Sequence, residues 1–599
     1  MRNISRTLSS DTFKTQIVTR RAFMLGVGKL GLFSLLASRM FYMQFIREDE
    51  YKTLSDKNRI SLILITPKRG GIYDYSGLQL AGNAASFRLL LDKTPQANYE
   101  SEIQLIAQLL DLTQEQYKYI IKKSAKANYR APITILDQLN WQQVSLIEEH
   151  KPNLSSIFID VSQTRVYSKN FSTSHLLGYI GQVNDQELKK SKLSKRDFNI
   201  GKSGLEKYYE GILRGEFGYK QMEVNAYGKY IRELAHSQAD QGKELHLNID
   251  GELQEKTWPY LNRQGCSAIV MDSTNGNILL LSSTPGFDPN NFSKLTQEYW
   301  KSLINDSYKP LINKTVQNNY PPGSPFKIIT ILAALEAGYL PDKTVTCISG
   351  ACALGGNSFR CHSKEGHGRL DMYGALKYSC NAYMYEISRL VGADKIIDMA
   401  KRFGFGMPTG IDLPGEVSGL VPTKKWKKER FKSDWSLGDT LNLSIGQGFL
   451  LATPMQLACF SASLANGGKL YTPLIAKGES KFRQVDINLA YLDIVKQAMY
   501  MAVNTPGGTA YSSRSFNNLH ELAGKTGTAQ VQSKANANDD LSRESLQWEK
   551  RNHAMFIGFG PFKAPKYAIS VYVDHGGGGG RAAAPIASRI MKDVFEKHC

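Results

Sequence analysis

Cysteine is scarce in this chain, seven in 599 residues, which is too few for a disulfide-built scaffold. Acid is also in short supply, with 55 Asp+Glu against 74 Lys+Arg and a formal charge of +19. Such a basic balance suits three kinds of partner: nucleic acid, an anionic membrane surface or an acidic polymer. Long apolar runs are missing after the first 46 residues, which excludes a multi-span membrane protein. Compositional bias and internal repeats are missing too. The chain is 42% hydrophobic and 22% charged, ordinary globular usage that excludes disordered and collagen-like chains. At about 100–200 residues per domain, the length accommodates two to four folded units with room for cores.

The basic residues are unevenly placed. Up to Arg47 there are eight (Arg2, Arg6, Lys14, Arg20, Arg21, Lys29, Arg39, Arg47) against one acid, Asp11, and five of them precede the apolar stretch Ala22–Ile46. A basic leader before a hydrophobic run reads as a positive-inside signal. Lys29 and Arg39 interrupt the run and must snorkel towards opposite faces. No A-x-A cleavage site follows, so an uncleaved anchor is favoured over a removed signal. Thr19-Arg20-Arg21-Ala22-Phe23 also resembles a twin-arginine export signal, which would still send the rest of the chain outside. The expected layout is a cytoplasmic basic tail (1–21), a single transmembrane anchor (22–46), a non-catalytic segment (47–255) and a C-terminal domain (256–599).

Apolar positions at helical spacing (Ile103, Leu105, Ile106, Leu109, Leu110) predict a surface helix over Ile103–Lys123. Short extended pieces are expected at Ile60–Ile65 and Phe87–Leu91, and Asp250-Gly251 reads as a boundary. Beyond it, Cys266–Met271 and Ile278–Ser282 flank Asn275-Gly276, a strong hairpin signal. Ala554–Phe559 and Tyr567–Val573 repeat that arrangement around a Gly-Pro turn, and a last amphipathic helix is expected at Pro585–Lys597. Strands at both ends with helices between them predict an α+β domain, one antiparallel sheet with helices packed on it.

Three motifs carry chemistry. Ser324-Pro325-Phe326-Lys327 follows Pro-Pro-Gly and precedes the apolar run Ile328–Leu335, which places Ser324 at a helix N-terminus. Positions i and i+3 share a helix face, so the Lys327 amine lies within reach of the Ser324 hydroxyl. A serine is a weak nucleophile until a base takes its proton. A lysine can be that base once desolvation or a second cation lowers its pKa. Ser-x-x-Lys alone is weak evidence, since roughly three would arise by chance at average usage. Ser379-Cys380-Asn381, after the helical pattern Leu370–Tyr378, offers a hydroxyl and an amide to relay a proton and hold a substrate amide; standing alone it would read as helix capping. Lys525-Thr526-Gly527-Thr528 offers the second cation, a glycine that lets a substrate backbone approach, and two hydroxyls for a carboxylate. The N–H groups of Ser324 and Thr528 would make an oxyanion hole. The order and the separations of 55 and 146 residues make coincidence a poor explanation.

Ser-x-x-Lys, Ser-x-Asn and Lys-Thr-Gly are the set shared by serine β-lactamases and penicillin-binding proteins. The chain resembles the penicillin-binding protein 2 family, class B D,D-transpeptidases of bacterial cell elongation, over almost its whole length. Arg69-Gly70, Asp74, Gly77, Leu80-Ala81 and Asn83 are similar to the family's segment near the anchor, although Tyr75 departs from its usual Asp-Arg. Gly201–Gly218 resembles the pedestal segment. Asp272, Asp288-Pro289-Asn290, Ser444–Gly448, Asn504–Tyr511 and Asp574–Gly580 match further on, with Asp574 where glutamate is commoner and Pro325 in place of a frequent threonine. The resemblance implies a serine β-lactamase/transpeptidase-like domain behind an elongated, dimerisation-like pedestal. It implies a periplasmic enzyme on the bacterial inner membrane that cross-links peptidoglycan stem peptides through a Ser324 acyl-enzyme and is acylated by β-lactams. Lys327 would be general base, Ser379 and Asn381 would relay a proton and orient the donor, and catalytic Lys525 with the substrate-binding Thr526, Gly527 and Thr528 would hold the terminal carboxylate. The implied partners are a RodA-type glycosyltransferase and an MreC-type scaffold.

Cys347, Cys352, Cys361, His367 and Cys380 fall within 34 residues. Three thiolates and an imidazole suit a structural zinc, a disulfide suits an oxidising compartment, and buried thiols need neither. The resemblance points to Cys347, Cys361, His367 and Cys380 as zinc ligands, with Cys352 left over; the acyl transfer itself calls for no cofactor. Lys424–Lys432 (KKWKKERFK) reads as a solvated loop or a contact for anionic glycan or lipid, since no nucleic-acid fold motif accompanies it. His575 reads as a hydrogen-bonded edge histidine, and Cys266 and Cys459 as core residues. The same three motifs also serve a β-lactamase or D,D-carboxypeptidase, although a pedestal of roughly 200 residues argues against the former. A non-catalytic receptor or scaffold is the third reading.

Overall fold

The computed structural model describes residues 20–46, 60–92, 99–126, 132–190, 198–224, 230–261, 265–348, 351–354, 357–515, 517–531 and 547–599. Most of the basic leader, residues 1–19, lies outside them. The helix Arg20–Phe41 continues into a wider turn at Tyr42–Ile46, and its segment Phe23–Phe41 is long and apolar enough to cross a membrane. The chain divides into two compact units.

The first unit comprises residues 1–65, 87–161 and 217–239. Ile60–Ile65 pairs antiparallel with Gly218–Val224, which pairs with Tyr230–Ser237. Phe87–Leu91, the end of a longer strand than expected, pairs with Ile133–Leu139. Leu89, Ile103, Ile106, Ile120, Ile135, Val144 and Ile147 form a small core there. The single helix expected over Ile103–Lys123 is two, Tyr99–Leu109 and Gln114–Lys126. Asp111 takes a left-handed φ of 48°, and Thr113 starts the second helix by bonding the Gln116 amide while the Gln116 side chain bonds the Thr113 amide. A capping exchange of this kind outweighs continuous apolar spacing.

The second unit comprises residues 66–86, 162–216 and 240–599. Its centre is a five-stranded antiparallel sheet of β1 (Cys266–Asp272), β2 (Ile278–Thr284), β3 (Ala523–Ala529), β4 (His553–Gly560) and β5 (Tyr567–Val573), in the spatial order β2-β1-β5-β4-β3. The β1–β2 and β4–β5 hairpins form as expected, with Gly276 at φ 85° in the first turn. β1, β2, β4 and β5 read as largely apolar runs because both faces are covered. Cys266, Ala268 and Val270 of β1 enter one core while Ile269 and Met271 enter the other. The C-terminal helix Ala583–His598 supplies Ala587, Ile590 and Val594 to the first core. On the other face lie α1 (Lys327–Glu336), α2 (Asn381–Val391) and α3 (Pro454–Ala465). All twelve residues of α3 are buried, and its N-terminus is secured by a Thr453/Gln456 capping box with Pro454 at its first position.

Two local expectations change. The helix before Ser379 begins at Met372, capped by Asp371, because Leu370 ends a strand, Gly366–Leu370. The basic run is a short helix, Lys424–Phe431, rather than a loop, with Thr423 bonding the Trp426 amide. Cys266 and Cys459 are core residues as expected.

Candidate active site

Ser324 opens a 3-10 turn, Ser324–Phe326, that runs directly into α1. The turn depends on Gly323, whose φ is 58° and whose amide bonds the Gly446 carbonyl at 2.9 Å. A Cβ on Gly323 would lie 3.0 Å from the Thr528 carbonyl oxygen, and one on Gly446 would lie 2.1 Å from the Gly323 carbonyl oxygen. Both glycines are therefore set by backbone crossing backbone. The serine loop thus rests against the end of β3, and Gln447 adds a bond from Nε2 to the Thr528 carbonyl at 3.2 Å.

Lys327 begins α1 with its side chain fully buried. Its Nζ donates to the Ser379 carbonyl at 2.6 Å, the Ser379 hydroxyl at 3.2 Å and Asn381 Oδ1 at 2.6 Å. Those bonds occupy the three N–H groups of the ammonium, and Ser324 Oγ is not among its partners here. From the opposite side Lys525 of β3, also fully buried, donates to the Ser379 hydroxyl at 2.8 Å and to the Thr526 carbonyl at 3.1 Å. Two lysines 198 residues apart in sequence thus meet on one hydroxyl. Burial pushes Lys327 down to about 8. Burial, and then the neighbouring Lys327 charge, push Lys525 well below the usual lysine range. No carboxylate contributes to either shift.

Ser379 holds a φ of 57°, uncommon for a residue with a side chain and frequent where geometry serves chemistry. It sits just past the helix Met372–Lys377, and Asn381 opens α2. Asn381 Nδ2 bonds the Arg360 carbonyl at 3.0 Å, which orients its Oδ1 towards Lys327. Thr526 Oγ1 and Thr509 Oγ1 bond at 2.9 Å, and Thr528 Oγ1 accepts the Gly579 amide at 3.4 Å. A Cβ on Gly527 would meet Met555 Cγ at 2.2 Å and Pro325 Cδ at 2.7 Å, so packing within the protein already requires glycine there. Gln447 and Thr509 lie in segments whose resemblance was visible in sequence, but no spacing singled them out.

The four expected metal ligands come together. The donor atoms of Cys347, Cys361, His367 and Cys380 all lie within 4.8 Å of one another. Cys361 Sγ is 3.9 Å from Cys380 Sγ and 3.4 Å from His367 Nδ1, and Cys347 Sγ is 3.8 Å from the same nitrogen. Tetrahedral zinc with its usual bond lengths separates such donors by about 3.5–3.8 Å, whereas a disulfide brings two sulfurs to about 2.05 Å. The donor set therefore fits zinc, and Cys347, Cys361 and Cys380 are free thiols. The interaction with the Cys380 thiol beside it holds the Cys361 thiol below its ordinary range. Cys361 Sγ also accepts the Asn381 amide at 3.3 Å, which ties the cluster to the Ser379–Asn381 turn.

The penicillin binding protein transpeptidase domain family matches residues 266–592, and the penicillin-binding protein dimerisation domain family matches 64–247. A peptidoglycan D,D-transpeptidase MrdA from Haemophilus influenzae is 33% identical over 96% of this chain and 91% of its own length. The chain belongs to the penicillin-binding protein transpeptidase family. Among solved members, Helicobacter pylori penicillin-binding protein 2 in complex with MreC superposes with a TM-score of 0.80 at 30% identity, over 90% of this chain and 99% of that one. A chain of a peptidoglycan synthase complex that coordinates polymerization and crosslinking superposes at 0.70 with 26% identity, over 97% and 99%. The α+β transpeptidase fold, the pedestal and the N-terminal anchor helix agree with this family.

Proposed function

We propose that this chain is a peptidoglycan D,D-transpeptidase of cell-wall elongation. The single observation that carries the chemistry is the Ser379 hydroxyl held between two buried lysines beside the Ser324 turn. Neutral Lys327 has a lone pair in place of one N–H, and that lone pair takes the Ser324 proton as Oγ attacks the penultimate carbonyl of a D-Ala-D-Ala stem peptide. The oxyanion forms at the amides of Ser324 and Thr528. As the tetrahedral intermediate collapses, the C–N bond breaks and the proton passes from Lys327 through Ser379 to the departing D-alanine amine. An acceptor strand's amine then attacks the ester, gives its proton to the same base and frees the Ser324 hydroxyl, leaving an amide cross-link. Thr526 and Thr528 receive the terminal carboxylate, Lys525 donates to the Ser379 hydroxyl that relays the proton, and Asn381 orients the donor amide.

In the same reading Cys347, Cys361, His367 and Cys380 hold a structural zinc, whose contribution is to cross-link the loop behind Ser379 and Asn381. The basic leader stays cytoplasmic and Phe23–Phe41 crosses the inner membrane, so the catalytic unit works in the periplasm. An MreC-type scaffold and a RodA-type polymerase are the partners in this reading; one solved relative is in complex with MreC and another belongs to a peptidoglycan synthase complex. Fluorescent penicillin added to the full-length protein, followed by peptide mapping, tests the reading. A stable adduct on Ser324 is expected, whereas rapid penicillin hydrolysis with no adduct would make the chain a β-lactamase. Intact penicillin with folded, unlabelled protein would make it a scaffold.

A further inference from the structure

We infer that Gln447 is a positioning residue of the oxyanion hole: its side-chain amide fixes the Thr528 backbone, and with it one of the two N–H groups that receive the developing charge. This deepens the transpeptidase reading above and rests on it. Gln447 lies in Ser444–Gly448, a segment that the sequence singles out and that the reaction as written leaves without a task.

The two amides come from far apart in the chain. Ser324 stands at the start of the turn into α1, and Thr528 lies 204 residues later, one residue before the end of β3. There the ladder to β4 stops at the Ala529–His553 pair, and the end of a strand is held less firmly than its middle. The loop 445–448 bonds both segments. Its Gly446 carbonyl accepts the amide of Gly323, the residue before Ser324, at 2.9 Å. Gln447 Nε2 donates to the Thr528 carbonyl at 3.2 Å. A carbonyl only accepts, so the end of the side chain that meets it is the NH2 group. In an extended strand the N–H and C=O of one residue share an edge. The carbonyl that Gln447 holds therefore faces the same way as the Thr528 amide that meets the oxyanion.

The loop is stiff enough to act as a bracket. The helix Leu437–Ser444 that leads into it starts with a Ser436/Asp439 capping box. The Gly446 and Gln447 amides bond the Leu443 and Asn442 carbonyls, each at 2.9 Å. Thr330, one turn beyond Lys327 on α1 and fully buried, donates from Oγ1 to the Ser444 carbonyl at 2.8 Å. The nucleophile's turn, the helix of the base and the second oxyanion donor are thus all fastened to one short segment. Oxyanion donors are effective only when already in place, about 2.7–3.1 Å from the oxygen. Without the Gln447 bond Thr528 can turn about its backbone, and its amide leaves that line while the Ser324 amide stays.

The test uses the full-length protein in detergent with benzylpenicillin, isotope-labelled at the β-lactam carbonyl, and reads two quantities. In Gln447→Met, which keeps the size of the side chain without a donor, the limiting acylation rate constant is expected to fall about 10–10²-fold. The affinity of the non-covalent complex is expected to stay within about twofold of wild type, as for an interaction that serves the transition state. The infrared band of the ester carbonyl in the Ser324 adduct is expected at higher frequency than in wild type, because a misplaced donor polarises that carbonyl less. The band comes only from protein that has formed the adduct, so it does not depend on how much of a variant folds, and Gln447→Glu gives a second reading of it. A band at the wild-type frequency in both variants, or a rate that falls only in step with affinity, overturns the inference and leaves the transpeptidase reading standing. Wild-type protein that forms no Ser324 adduct overturns both.

Discussion

Two groups of buried charges lie in the second unit, and they are built on opposite principles. At Arg69, Arg165, Glu206 and Glu210 every charge has a partner. Arg165 Nε and Arg69 Nε reach the two oxygens of fully buried Glu206 at 2.7 and 2.6 Å, and Arg69 Nη2 reaches Glu210 at 2.7 Å. Burial would lower Arg69, but Glu206 and Glu210 raise it above its ordinary value. At Lys327 and Lys525 two like charges share one hydroxyl and have no carboxylate partner, and both fall below the ordinary lysine range. Desolvation is common to both groups, so pairing makes the difference. Compensated charges hold the chain together, while uncompensated ones lower the pH at which an amine gives up its proton, as the proposed general base requires.

Breaking each group should have opposite consequences. The largest effect is expected from Lys327→Met: acylation by a fluorescent penicillin falls by about 10²–10⁴-fold, while the melting temperature rises because a costly buried charge is gone. A fall in both would put Lys327 with the structural group. Glu206→Met should do the reverse, costing about 3–5 kcal/mol in denaturant titration because Arg165 and Arg69 are left buried without a counter-charge, while the folded fraction acylates at the wild-type rate. Stability should also separate wild type from Lys327→Met with pH. Between about 8 and the ordinary 10.5 the unfolded lysine binds a proton that the folded one does not, so wild type gains stability on the variant as pH rises through that window. The smallest effect is expected at Thr526→Val, about tenfold weaker acylation carried by the binding step; a change confined to the chemical step would remove Thr526 from carboxylate binding.

Legibility in the sequence followed the range of the interaction. Ser324 at a helix start and the β1–β2 and β4–β5 hairpins depend on residues within a few positions of one another, and all were readable. The split at Asp111 escaped because apolar spacing continues through it, while the exchange between Thr113 and Gln116 that starts the second helix is polar. The placing of Lys525 against Ser379 spans 146 residues; the motif named both residues, and only the fold shows that they share a hydroxyl with Lys327. The Arg69–Glu206 bond spans 137 residues, and no local pattern marked the pair. His575 was readable as an edge histidine bonded to backbone, but the bond from its amide to His553 Nδ1 depends on the register of β4 against β5.

The pH dependence of acylation at Ser324 tests the central claim most directly, with the rate constant followed by fluorescent penicillin from pH 6 to 10. If a buried like-charged lysine pair supplies the base, the rate rises about tenfold per pH unit below about 8, levels off above it, and reports one apparent pKa for the coupled pair. A rate that is flat across the range, or that still climbs towards the ordinary lysine value of 10.5, would contradict the account.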